Sequence, residues 1–221
     1  MQTVVGISIS HYYALPIMAA MVMIGRLLMF RVRLFLSTWP GCYQPAHAAV
    51  LAGIWLYSMA GMLILISPAP LNLRIFDLLM VAFLLQMAVT DALSGYLPRT
   101  FCLRFLLAGI LMVFSTSVPG DVLWRLTETA LISLLLFILH HAVNRQQLHV
   151  GTGDLWLISG LTAWVGLPAC FWSTLLGVSG FVLWHSTWRF RGAISGPLGP
   201  WLCLGSCAIL IDKLYQPLWV I

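Results

Sequence analysis

Charge is what this sequence has least of. Charged residues make up 8% of its 221 positions, whereas a water-facing domain carries about 25%. Most of the surface therefore has no means of being hydrated and must face lipid, which excludes a soluble globular domain. Acidic residues are scarcer still, six against eleven Lys and Arg. The basic excess forms no stripe with interleaved aromatics, so nucleic acid is excluded as a partner; membrane lipid is the expected surroundings. Paired cysteines are also missing. Cys42, Cys102, Cys170, Cys203 and Cys207 form an odd set without a CxxC pair, and most stand in apolar stretches, where Cys acts as a small hydrophobe. Cys203 and Cys207 are one helical turn apart with no His or third thiol near them, so no metal and no cofactor is expected. No basic region or small-residue cleavage site precedes the first apolar segment, which reads as a retained span.

What the chain does have is a succession of apolar runs of a length to cross the roughly 30 Å hydrocarbon layer. They lie near residues 10–30, 46–67, 74–92, 99–117, 121–142, 154–167, 169–188 and 200–218, the sixth being short. Helix is the only state that satisfies their backbone in lipid, since open strands leave bare amides and the dyad alternation of a barrel is absent. Pro40 and Pro45 flank the first break, Pro68 and Pro70 the second, Pro98 ends the third span, and Pro119-Gly120 separates the fourth from the fifth. The expectation is one all-α membrane domain over residues 1–221, a bundle of about eight transmembrane helices. Placing the N-terminus outside puts Arg26, Arg31, Arg33, Arg99, Arg104, Arg145, Arg189 and Arg191 inside, against Arg74, Arg125 and Lys213 outside. That bias orients the bundle with both termini outside.

With so few acids, each location carries weight. Asp121, just past Pro119-Gly120, suits a helix cap. Glu128 lies further in and suits packing or a polar cavity. Asp77 and Arg74, three apart, suit a surface ion pair, and Asp212 beside Lys213 reads as interfacial. Asp91 and Asp154 differ, because both fall at the inner ends of spans on one side of the membrane. Ionisable groups there usually face the bundle interior or a water-filled cavity; the bland alternative is two helix-end acids looking at water. Asp91 opens a run to Pro98 in which a span gives way to a Gly- and Pro-containing loop. Asp154 closes Gly151-Thr152-Gly153-Asp154 and starts a short helix, and its two glycines permit backbone approaches that a β-carbon would forbid. Two carboxylates within about 3–5 Å share a proton, so that one activates water and the other polarises a carbonyl.

Three blocks resemble the type IV prepilin peptidases, GxGD aspartyl proteases of bacterial inner membranes. The first is Asp91 followed by Leu97-Pro98. The second is Gly151-Thr152-Gly153-Asp154-Leu155-Trp156-Leu157, continued by Leu161-Thr162-Ala163-Trp164-Val165-Gly166. The third is Pro197-Leu198-Gly199-Pro200-Trp201-Leu202, similar to the family's Pro-Phe-Gly-Pro segment. The likeness is strongest over residues 75–210 and poor over the first 70. It implies an endopeptidase that removes the leader from type IV prepilins or pseudopilins at the cytoplasmic face, with Asp91 and Asp154 as the catalytic pair. Family members also carry a cytoplasmic insert with paired CxxC motifs after the first span and methylate the new N-terminus. Here the corresponding loop, Ser37 to Ala46, holds Cys42 alone, and the family's Gly-Ser-Phe-Leu-Asn run is not recognisable around Ile24-Gly25-Arg26-Leu27-Leu28. The chain reads as a short form, and methyl transfer is not carried over.

Around that pair, Gly151, Gly153 and Pro98 are expected to shape the site. Pro197 and Pro200 either free backbone groups for a substrate or simply start the last helix. His149, His140 and His141 read as interfacial before they read as catalytic, and Trp184, Trp188 and Trp201 as an interfacial belt. The substrate's apolar helix is expected beside the third and sixth spans. Three alternatives stand beside the prepilin peptidase: a GxGD protease of another substrate, a proton-coupled transporter, and a pilus-assembly scaffold without activity. The absence of an internal repeat counts against the transporter.

Overall fold

The computed structural model describes residues 11–37, 47–116, 119–143, 151–188 and 196–219. Among them the chain forms eight α-helices after a 3-10 turn at His11–Tyr13, and no strand. In chain order they are α1 (Ala14–Leu36), α2 (Ala48–Ile66), α3 (Leu71–Ser94), α4 (Arg99–Thr116), α5 (Pro119–Val143), α6 (Thr152–Val165), α7 (Leu167–Trp188) and α8 (Gly199–Trp219). The eight expected segments are all present, but only six helices, α1 to α5 and α7, are both long and apolar enough to cross a membrane. With 14 residues, α6 spans about 21 Å, short of the hydrocarbon thickness. α8 is long enough but carries Asp212, Lys213 and Gln216 in its second half.

The first helix runs further than its apolar stretch suggested, to Leu36, because Arg26, Arg31 and Arg33 all stand on its exposed side. Their stems can lie along the apolar surface while the charged heads reach the interface. Arg145, Arg189, Arg191, His149 and Cys42 lie outside the described residues.

α3 is the centre of the bundle. Half of its apolar window is buried, against 6% for α5, which turns most of its surface outward. Met80, Leu84 and Met87 of α3 join Val32 and Leu36 of α1, Ile54 of α2, Phe105 of α4, Leu157 and Leu161 of α6 and Leu202 of α8 in one core. α6 is fastened to α4 by Trp164, which stacks on Phe105 at 5.6 Å and donates its indole N–H to the Phe105 carbonyl over 2.9 Å. That bond lets a large ring be buried without an orphaned donor.

The turn between α2 and α3 corrects one expectation. Arg74 is 2% exposed and does not form a surface ion pair with Asp77, which is itself buried. Its guanidinium folds back to donate to the Ala69 carbonyl over 2.6 Å and the Leu65 carbonyl over 2.8 Å. Leu65 is among the last carbonyls of α2, which lack intrahelical partners, and Ala69 stands in the turn after it; at apolar depth a bare carbonyl is costly, so the arginine serves both. Glu128 has a comparable task at the same end of the bundle, where its Oε2 accepts the N–H of Leu167 at the start of α7 over 3.3 Å.

Candidate active site

Four helix ends meet at the opposite end of the bundle: the close of α3 and the starts of α4, α6 and α8. α3 stops at Gly95, which takes the left-handed conformation (φ 64°) and returns its N–H to the Asp91 carbonyl over 2.8 Å. A side chain at that φ would be strained, so glycine is the natural terminator. Beyond it, Leu97 and Pro98 are buried, and the Pro98 carbonyl accepts the N–H groups of Phe101 and Cys102 to begin α4.

Asp91 stands in the last turn of α3, 5% exposed. Its Oδ2 accepts the backbone N–H of Gly199, the first residue of α8, over 2.9 Å. A β-carbon on Gly199 would lie 2.6 Å from that oxygen, so any side chain here would displace the carboxylate. The Leu198 carbonyl accepts the N–H groups of Trp201 and Leu202, which makes the Pro197-Leu198-Gly199-Pro200 segment the head of α8. Gly199 itself was missing from the sequence-derived site. The signal was present, however: Pro197 and Pro200 have no N–H, so only Leu198 and Gly199 can donate from that stretch, and only Gly199 has no side chain in the way.

Asp154 lies in the first turn of α6, half-buried. The residue before it sets its position. A β-carbon on Gly153 would meet Leu97 Cβ at 2.6 Å and the Leu97 carbonyl at 2.9 Å, so the start of α6 is seated directly on the Leu97-Pro98 connection. The Gly153 carbonyl also receives the thiol of fully buried Cys102 at 3.7 Å. Cys102 had read only as a small hydrophobe. Gly151 differs from Gly153: its φ of −67° and ψ of 136° suit any residue, and an added β-carbon would make an ordinary 3.5 Å contact with Asp154 Oδ2. Space and conformation therefore call for glycine at 153 but not at 151.

The two acids are brought together. Asp154 lies within Coulombic reach of the Asp91 carboxylate, and both lie within reach of Cys102 and Cys203. At the start of α4, Arg99 holds its guanidinium 5.6 Å from the centre of the Trp156 ring. His140 and His141 sit in the last turn of α5. Among the described residues no group of three or more His, Cys, Asp or Glu is disposed to hold a metal ion. Two acids so placed, one held by an amide and the other at a half-buried helix start, put two proton-exchanging groups at one end of the bundle.

Residues 78–185 match the model of the type IV leader peptidase family. The chain is similar to prepilin leader peptidase/N-methyltransferase from two strains of Burkholderia pseudomallei, 1026b and K96243. Each is 32% identical over 158 residues, which is 68% of this chain and 50% of the relative. The chain thus matches about half the length of these curated relatives. No solved structure matches it.

Proposed function

Because the chain belongs, over residues 78–185, to the type IV leader peptidase family, we propose that it is an intramembrane aspartyl endopeptidase that removes the leader from type IV prepilins or pseudopilins. The observation that carries this reading is the meeting of Asp91 and Asp154 at one end of the bundle, with Asp91 Oδ2 fixed by the Gly199 N–H. In the reaction, water lies between the two carboxyl groups. The ionised one takes a proton from the water as its oxygen attacks the scissile carbonyl carbon, while the protonated one donates to the carbonyl oxygen. The tetrahedral diol then collapses: the C–N bond breaks, the leaving nitrogen gains the proton held by the first carboxyl, and the second recovers its own. No covalent intermediate forms, and the net change is addition of one water across the peptide bond. Cleavage is proposed here; methyl transfer is not.

The end that holds the acids is proposed to face the cytoplasm from the inner membrane. Phe35 at the end of α1 lies 5.8 Å from Phe101 at the start of α4, so the exposed Arg31 and Arg33 share this end with Arg99 and Arg104. Arg74, Arg125 and Lys213 belong to the other end. That asymmetry supports an inner orientation for the acids. Such a surface does not attract a basic leader, so leader recognition rests on shape or on the acids themselves.

The test is purified protein in lipid nanodiscs with a prepilin peptide, followed by mass spectrometry. Asp91→Asn and Asp154→Asn should each lower the rate by about 10³-fold or more, with the helical signal retained. Trimming at the normal rate by either variant would rule the mechanism out.

A further inference from the structure

A groove of about 380 Å³ runs along the membrane face between α2, α3 and α8. It carries no charged residue, and its near end is formed by Ala92 and Pro200, the neighbours of the bonded pair Asp91 and Gly199. Its near end therefore lies beside the candidate active site. We propose that this groove seats the apolar helix of the substrate, on the chain's side of the scissile bond that stays in the membrane. The proposal rests on the peptidase reading and deepens it by naming the surface that selects the substrate.

Three observations support a helix as the occupant. The walls are helices whose backbone groups are already bonded, so they offer no edge for an extended strand; a segment lying here must satisfy its own backbone, as a helix does. The floor is made of small residues at helical spacing, among them Ala49, Gly53 and Ala60 on α2 and Ala88 on α3, which allows close backbone approach. Gly53 already packs on Val89 and Leu85, where an added β-carbon would fall within 2.9 Å and 3.1 Å. Finally, Tyr57 lines the groove, is 5% exposed, and finds no hydrogen-bond partner for its hydroxyl among the described residues. A phenol left unpaired in an apolar groove suits a docked helix that presents a hydrogen-bonding group at that depth. An acyl chain would leave it unpaired. The groove lies on the α2 and α8 side of α3, away from α6, where the sequence had placed the substrate helix.

Two peptides test this in nanodiscs. One has a short basic leader, the scissile bond and an apolar helix of about 20 residues; the other ends a few residues after the bond. Ala52→Trp and Ala208→Trp fill the groove from its exposed rim without touching the acids. Each should lower kcat/KM for the helical peptide about tenfold or more, mainly through KM, and change cleavage of the short peptide by no more than about twofold. A photo-crosslinker at Leu56 or Leu204, which line the groove, should capture the helical peptide. The same probe at Leu107 or Leu111, exposed on α4, should not. Equal loss on both peptides, no loss on either, lipid adducts alone, or equal capture from α4 would overturn the proposal. If the wild-type chain cuts neither peptide, the peptidase reading fails, and the crosslinks still decide whether the groove holds the helix.

Discussion

Gly199 donates its backbone N–H to Asp91 Oδ2 across 2.9 Å, a bond between residues 108 positions apart that ties the end of α3 to the start of α8. It gives the buried carboxylate a fixed direction, because an amide at a helix start is both donor and positive pole. It also makes α8 part of the site, although that helix contributes no acid there.

Gly199→Ala keeps the donor but adds a methyl group 2.6 Å from the acceptor. The carboxylate must move, and a displacement of about 1 Å is enough to cost on the order of 10²-fold in rate. Circular dichroism should show the helices intact while cleavage of the prepilin peptide falls. A wild-type rate would mean that the amide does not set the position of Asp91.

The seating of Gly153 on Leu97 predicts a coupled pair. Gly153→Ala should cost about 1–3 kcal/mol of stability through overpacking and slow cleavage, since Asp154 follows directly. Leu97→Gly removes the β-carbon that the new methyl group meets at 2.6 Å, so the double variant should recover part of the loss. Thermal unfolding in detergent, compared across the four proteins, should give a coupling energy above about 0.5 kcal/mol; strict additivity would refute the contact.

Arg74→Met removes the donors to two carbonyls, Leu65 at the end of α2 and Ala69 in the turn after it, without opening a large cavity. Hydrogen bonds from a charged group are worth about 1.5–3 kcal/mol each, so a loss near 3 kcal/mol is expected on thermal unfolding. Position 74 lies some 25 Å along α3 from Asp91 at 1.5 Å per residue. The folded fraction should therefore cleave normally. A stable variant would show that water or lipid can serve those carbonyls equally well.

The sequence carried the elements further than it carried their relations. Pro68, Pro70 and Pro98 stand where helices stop, because a proline removes a donor and constrains the residue before it. Asp91 and Asp154 were visible because an acid in an apolar chain is rare. Arg74 was misplaced for the same reason: near a helix start a charge suggests water, whereas the carbonyls of α2 supplied a buried alternative. Gly199 and Cys102 escaped because each donates a hydrogen bond to a residue far along the chain, across 108 and 51 positions, and no local pattern encodes such pairs. The extent of α1 escaped because three arginines on one exposed side read, in one dimension, as the end of a span.

The brevity of α6 bears on how water reaches a bond meant to be hydrolysed inside a membrane. A helix about 9 Å shorter than the hydrocarbon layer cannot carry both its ends to an interface, and α6 is packed inside the bundle, with Leu157, Leu161 and Trp164 buried. Asp154 occupies one of those ends. The start of α6 is level with the Leu97-Pro98 connection, whereas its other end stops beside Gly109, part-way along α4; the shortfall therefore lies at the Val165 end, and Asp154 stays near the face of the bundle, where charging an acid is less costly than at mid-membrane depth. Water would then arrive from that face, with no channel through the bundle.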